Sequence, residues 1–480
     1  MISAARCFPA STQKGVSMLS TATANAVFAY ALRGGADFAE LFLEDRDDVS
    51  IDCADRVNEV SRMRSYGAGL YLLKGNSGAY VYLNDLSEPA LRRAADDALA
   101  LMGASGEGIG TPRPLTVLNR ENPCPVLVSP SEAGQERKIS LLREAVLCAS
   151  SLPEVSRCRA TWFDRDQRVT ILNSEGVHAE DRRVTTRMRF IPVVSRNGET
   201  ASSFTEYCAA AGMEAFESGR HLEQLTTCCK RLRGSIGAPE APSCRVPVVL
   251  EAGACSGTFF HEACGHQLET RSLQEGGLFW DRRGQQIASP QVTLIDDGTL
   301  KGMYGSARFD DEGMARQRNV LIENGMLKGF MADRLGARRL GLARTGSGRR
   351  QDYAHAPGPR MSNTFLAAGM DDDDAMIRDL EEGLYVTEIG GGTGGREFTL
   401  LAACAYWVKN GQIGPQVKGA ILVGRGDETM LKIDRVGRTF VAEQGGGSFC
   451  GADSGFIPTT TSGPRMRIAE MVVGGKGEKL

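Results

Sequence analysis

The sequence predicts an α+β fold in two domains. An N-terminal helix-and-hairpin domain spans 21–240, and a C-terminal β-rich domain spans 245–480 and carries a helix with two histidines. Three observations lead there. In the first half, helical segments are followed by groups of strand-like runs, an order of segregated elements and not strict strand–helix–strand alternation. In the second half, short apolar runs succeed one another around Asp-Gly and Asn-Gly turns. Between them GSIGAPEAPSCRVP (234–247) is rich in Pro, Gly and Ser, the composition of a domain boundary.

The elements follow in order. An amphipathic segment near 21–33 is ended by GGAD, and ELFLED, SIDCAD and GAGLYLLKGNSGAYVYLND read as strands, with a tight turn at Gly75-Asn76. Ser87 and Pro89 open a helix over roughly 88–102 by N-cap and first-turn logic. GASGEGIGTPRP is a loop. A second round places helices near 131–150 and 214–232 around strands at 155–164, 167–173, 183–195 and 199–210. Beyond the boundary, VPVVLEAG leads into the histidine helix. LFWDRRGQQIAS, QVTLIDDGTLKGMYG, NVLIENGMLKGFMAD and YWVKNGQIGPQVKGAILVG then read as short strands.

A chain of 480 residues can bury a sizeable core, and 42% hydrophobic with 24% charged residues is globular. A net charge of −3 gives no pull toward nucleic acid or an anionic membrane, and no apolar run approaches the ~20 residues that span a bilayer. The thirteen cysteines are odd in number and form no C-x-x-C pair, which points to a reducing compartment and a cytoplasmic protein. The first 36 residues lack Asp and Glu, so residues 1–20 read as a loose leader, a transit segment, or a stretch bypassed by a start at Met18.

Chemistry concentrates in TFFHEACGHQLET (258–270). His261 and Glu262 begin like the zinc-peptidase motif H-E-x-x-H, but the second histidine, His266, comes five positions after the first instead of four. On an ideal helix that spacing puts the imidazoles about 140° apart. Both reach one metal only if the helix is locally widened, as in a π-bulge, and Gly265 makes distortion cheap. A catalytic zinc needs three protein ligands and an open position, and Glu262 stands where a general base would. The third ligand is sought among His178, His221, His355, Cys255, Cys264 and Cys450, the last in the Gly-rich GGGSFCGADSG. Spacing alone leaves a metal pair and a structural pair of histidines both open.

The stretch HEACGHQLE resembles the H-E-x-x-x-H signature of the TldD/PmbA family of metallopeptidases, in its TldD branch. LIDDGT, FDDEG, NVLIENGMLKG, GSGRRQDYAHAPGPRMSNT, GGGTGG, VKGAILVGRG and FCGADSG follow in that branch's order, and GADFAELFLED and ILNSEG fit in the first half. The resemblance implies a zinc peptidase acting on unfolded or flexible peptides with little sequence preference. It implies one zinc per chain held by His261, His266 and Cys450, with Glu262 as general base. It also implies a dimer, either of identical chains or with a TldE/PmbA-like paralogue, and the family has been described as modulating DNA gyrase. Gln267 stands where Gly is expected, Cys264 where Val is more usual, and Glu269-Thr270-Arg271 follow.

In the arginine-rich 334–350, Arg349 or Arg350 is a candidate for holding a substrate carboxylate, the alternative being a solvated helix face. His355 is a candidate to line the cleft. DDDD (371–374) reads as a solvated turn, and GGGTGGRE lacks the Lys-Ser/Thr of a phosphate loop, so its glycines turn a strand beside the site. GADSGF lacks the context of a serine peptidase. Two readings compete with the peptidase: a regulatory binding protein with a structural metal, acting on gyrase or a toxin system, and a thiol peptidase with Cys450 as nucleophile.

Overall fold

The structure is a computed structural model, and it describes residues 18–54, 56–104, 108, 110–442 and 445–477. The chain is a mixed α/β protein rich in sheet. The expected leader, up to residue 17, and part of the Gly-rich loop at 103–114 lie outside the described residues.

The first helix, Thr21–Arg33, starts where the Ser20 side chain accepts from the Thr23 N–H. The second, Glu88–Leu101, follows Ser87 as expected, but the Ser87 hydroxyl caps no helix N–H. Helices Gly134–Ser150 and Arg220–Ser235 complete the first half, and the latter begins later than expected because a 3-10 turn occupies Met213–Phe216.

The strands are longer than their apolar patterns suggest. ELFLED and SIDCAD are one strand, Phe38–Cys53, paired on one side with Val57–Lys74 and on the other with Val155–Asn173. The strand Val155–Asn173 likewise unites two expected strands, and Val177–Arg196 extends a third. The polar residues that break the sequence pattern do not break the ladder, because their side chains are buried on one particular face. Leu41, Leu43, Ile51 and Cys53 point to the helices, packing with Phe28 and Leu91 at one end and Leu142 and Trp162 at the other. Successive strand side chains alternate, so Glu40, Phe42, Glu44, Arg46 and Asp48 point the other way and are buried there. That face meets the second half: Arg350 Nη2 lies 2.7 Å from Glu40 Oε1, the Tyr353 N–H donates to Glu44 at 2.9 Å, and Arg46 sits 3.6 Å from Asp352.

The second half holds two larger sheets. A six-stranded sheet runs Met326–Leu327, Arg318–Glu323, Leu294–Asp297, Asn363–Leu366, Gly455–Ser462, Gly447–Ala452. In the other, Glu382–Thr393, Cys244–Leu250, Met466–Gly474, Ile421–Arg425 and Glu397–Lys409 pair in succession. The last strand pairs back with the first, which closes a small barrel. The expected turns at Asn324-Gly325 (φ 48° and 81°) and Asn410-Gly411 (φ 50° and 72°) adopt the left-handed conformation such hairpins require. LFWDRRGQQIAS forms no strand. It is a loop anchored by buried Phe279 and Ile287 and tied to the Met326–Leu327 hairpin by the Gly284 and Ile287 N–H groups.

Helix Ala254–Ala263 follows the barrel strand Cys244–Leu250 and is buried on nearly every side, as expected of a helix lodged between layers. Phe259 stacks edge-on against Phe398 of the barrel at 5.4 Å and belongs to an apolar cluster with Leu400, Leu422, Met361 and Leu366. Burying each phenylalanine contributes about 1.5–3 kcal/mol, so the packing of the helix does not depend on His261. Among the described residues no helix is long and apolar enough to cross a membrane.

Candidate metal centre

The five-residue spacing is resolved by ending the helix, not by widening it. The α-helix stops at Ala263, Cys264 takes φ −146° and ψ −24°, and a 3-10 turn runs over Gly265–Leu268. This break turns His266 back toward His261, and the expected π-bulge is absent. Gly265 matters through space and not through an unusual φ: a Cβ there would fall 2.4 Å from Met361 Sδ.

Cys450 arrives from the other side, on strand Gly447–Ala452 of the hairpin closed by Gly455–Ser462. Its Sγ lies 3.2 Å from His261 Nε2 and 3.3 Å from His266 Nε2, and the two rings stand 4.9 Å apart and nearly perpendicular. The three donors lie within 4.8 Å of one another. Tetrahedral bonds of zinc length would hold sulfur and nitrogen roughly 3.5 Å apart, so the observed spacing fits one small cation with little adjustment. Burial pushes the Cys450 thiol up, but hydrogen bonds and charge from the two imidazoles outweigh it and bring it down to about 5. Burial opposes charge on His266, yet Cys450 and Glu269 raise its pKa to about 10. Cys255 and Cys264 behave oppositely: both thiols donate to main-chain carbonyls and burial pushes them up. They are core residues and not donors of the cluster.

Glu262 follows His261 and is partly exposed. The GGGTGG hairpin packs directly on it, as the glycine run suggests. A Cβ at Gly394 would fall 2.8 Å from Glu262 Oε2 and 2.6 Å from its carbonyl oxygen.

The other candidates are elsewhere. His355 is not in the cluster; its Nδ1 pairs with Asp352 at 2.6 Å. Arg350 is buried and is not in the cluster; Glu40, the Asp311 carbonyl and the Tyr80 hydroxyl hold its guanidinium where the two halves of the chain meet. Arg349 donates to the Met361 carbonyl. His221 packs in the first-half core against Tyr207 and Phe216, and His178 pairs with Glu180. The DDDD turn receives Arg438 and Arg465 at its surface. Sequence reasoning passes over two residues. Glu269 is fully buried with its Oε1 3.5 Å from His266 Nδ1, and fully buried Arg360 donates to the Cys450 carbonyl at 2.6 Å. The only local signal is that Glu269 stands three residues after His266.

Comparison with known proteins places this geometry in context. Residues 39–101, 129–227 and 243–475 match the models of domain 1, the central domain and the C-terminal domain of the PmbA/TldA metallopeptidases. A metalloprotease TldD homolog of Haemophilus influenzae is 31% identical over 476 residues, 96% of this chain and 97% of that one. A metalloprotease of Methanothermobacter thermautotrophicus is 30% identical over 88% of this chain and 91% of its own. Among solved structures, a Bacteroides thetaiotaomicron protein described as a candidate modulator of DNA gyrase shares the fold (TM-score 0.73, 16% identity, 95% of this chain and 98% of that one). So does TldE of Thermococcus kodakarensis (TM-score 0.70, 15% identity, 94% and 100%).

Proposed function

Because the chain belongs to the PmbA/TldD metallopeptidase family, we propose that it is a zinc-dependent peptidase of two domains, meeting near residues 240–245, that hydrolyses unfolded or flexible peptides in the cytoplasm. The observation that carries this reading is the convergence of His261 Nε2, His266 Nε2 and Cys450 Sγ beside a partly exposed Glu262. Two imidazoles and a thiolate would hold the ion and leave a position open, and the soft sulfur favours zinc over manganese. Once bound, the ion supplies Lewis acidity toward the scissile carbonyl and its attacking water. Glu262 takes the proton of that water and returns it to the leaving amine. Glycines at 390–395 let the hairpin close over the carboxylate and limit its motion. An extended peptide read through its backbone at a strand edge beside the metal would make recognition indifferent to side chains. A second copy or a TldE-like chain would cover the remaining side of such a cleft.

The test is cleavage of an unstructured peptide by the wild type, by the wild type after chelation, and by Glu262→Gln. The reading expects cleavage that chelator abolishes and a loss of about 10²- to 10⁴-fold in the variant with metal retained. A Cys450 nucleophile, which the low thiol pKa would also suit, predicts cleavage that survives chelation. A binding protein predicts none from the wild type.

A further inference from the structure

Around the cluster, four buried polar atoms lack a hydrogen-bond partner: His261 Nδ1, His266 Nδ1, Glu269 Oε1 and Arg360 Nε. The last three face one another. Glu269 Oε1 is 3.5 Å from His266 Nδ1 and 3.7 Å from Arg360 Nε. The other carboxylate oxygen is fixed by Arg271 Nε at 2.8 Å. Arg360 in turn grips the hairpin that brings Cys450, with Nη2 on the Cys450 carbonyl at 2.6 Å and Nη1 on the Gly455 carbonyl and the Ser454 hydroxyl at 3.0 and 3.1 Å. The 3-10 turn that bears His266 and the strand that bears Cys450, far apart in sequence, are thus tied through one carboxylate and one guanidinium.

We infer that Glu269 is a positioning residue for the metal centre: it accepts the Nδ1–H of His266, and with Arg360 it holds His266 and Cys450 in register for one ion. The inference rests on the metal centre proposed above and adds to it. The chemistry requires such a group. An imidazole that offers Nε2 to a metal carries its proton on Nδ1, and a carboxylate receiving that proton sets the ring's orientation and raises its basicity. His266 needs this more than His261, because it stands on a 3-10 turn after the helix has ended. Glu269 is itself fully buried, and a buried carboxylate persists only when several partners share its charge. Arg271, Arg360 and His266 are those partners.

Two measurements on the full chain test it. The first is zinc affinity, by competition with a chromophoric chelator, for wild type and Glu269→Gln. The inference expects binding weaker by roughly ten- to a hundredfold in the variant, with the far-ultraviolet circular dichroism unchanged. The second is the nitrogen resonance pattern of the His266 ring in zinc-loaded wild type, which needs no variant and so stands even if Glu269→Gln fails to fold. The inference expects the proton on Nδ1 and the metal on Nε2. Equal affinities in the two proteins, or a ring protonated on Nε2, would overturn the role of Glu269 while leaving the centre intact. A wild type that binds no zinc would overturn the centre and the inference together.

Discussion

The joint between the two halves and the end of helix Ala254–Ala263 are both polar and both buried, and they are built on opposite rules. At the joint charges pair across the two halves. Arg350 meets Glu40, Arg183 meets Asp181 and Asp311, and Arg334 meets Glu175. Carboxylates and guanidiniums are spread over a wide face and interleave, so the charge is cancelled in place. At the helix end three donors instead converge on one point, and the groups behind them are aimed inward. Matching makes an interface, whereas convergence makes a site. Burial of charge alone does not tell the two apart, and Arg350 shows it: among the arginines of 334–350 it is a reasonable candidate for a substrate carboxylate until its partner on the other half is seen.

Breaking each region should therefore fail differently. His261→Ala should reduce peptide cleavage to background and remove the metal, with a small change in unfolding free energy for the apo chain. Glu40→Ala should do the reverse, costing about 3–5 kcal/mol of stability by stranding Arg350, with metal still bound. Chemical denaturation and metal analysis of the two variants together check the contrast. Glu40→Met with Arg350→Met should cost less than Glu40→Ala, since a buried pair replaced by apolar side chains strands no charge.

A subtler effect comes from pH. Burial, followed by the neighbouring carboxylates Asp333, Glu40 and Asp310 against the pull of Arg344, pushes Glu312 up to about 8. The folded chain therefore keeps a proton that the unfolded chain releases above its ordinary value near 4.5. Stability must fall as pH rises between those two values and level off beyond the upper one. Melting temperatures across that window should show the slope in the wild type and a flatter profile in Glu312→Gln. The smallest effect belongs to Gly394→Ala. The added methyl would press on the Glu262 carbonyl oxygen and carboxylate, so turnover should drop several-fold and the melting temperature slip slightly while zinc content holds.

What was legible in the sequence is what local chemistry decides. The amphipathic run near 21–33 and the Asn-Gly turns both depend on neighbours in the chain. The histidine pair was legible too, and Cys450 through its glycine-rich run and the family resemblance. The continuity of Phe38–Cys53 was not, because Arg46 and Asp48 look like surface residues until the second half is folded over them. Arg350 and Glu40 are 310 residues apart, and no local pattern announces such a pair. The helix break at Cys264 was hidden for a related reason: the space left for Met361 beside Gly265 exists only in three dimensions. Glu269 and Arg360 were missed because each acts through another residue's backbone or ring.

The central claim is that His261, His266 and Cys450 hold one metal ion. Its most direct test is metal per chain by plasma mass spectrometry on freshly purified wild type and Cys450→Ala side by side. The account predicts about one zinc per wild-type chain and little in the variant. A wild type without metal, or a variant that keeps its full complement, would contradict it.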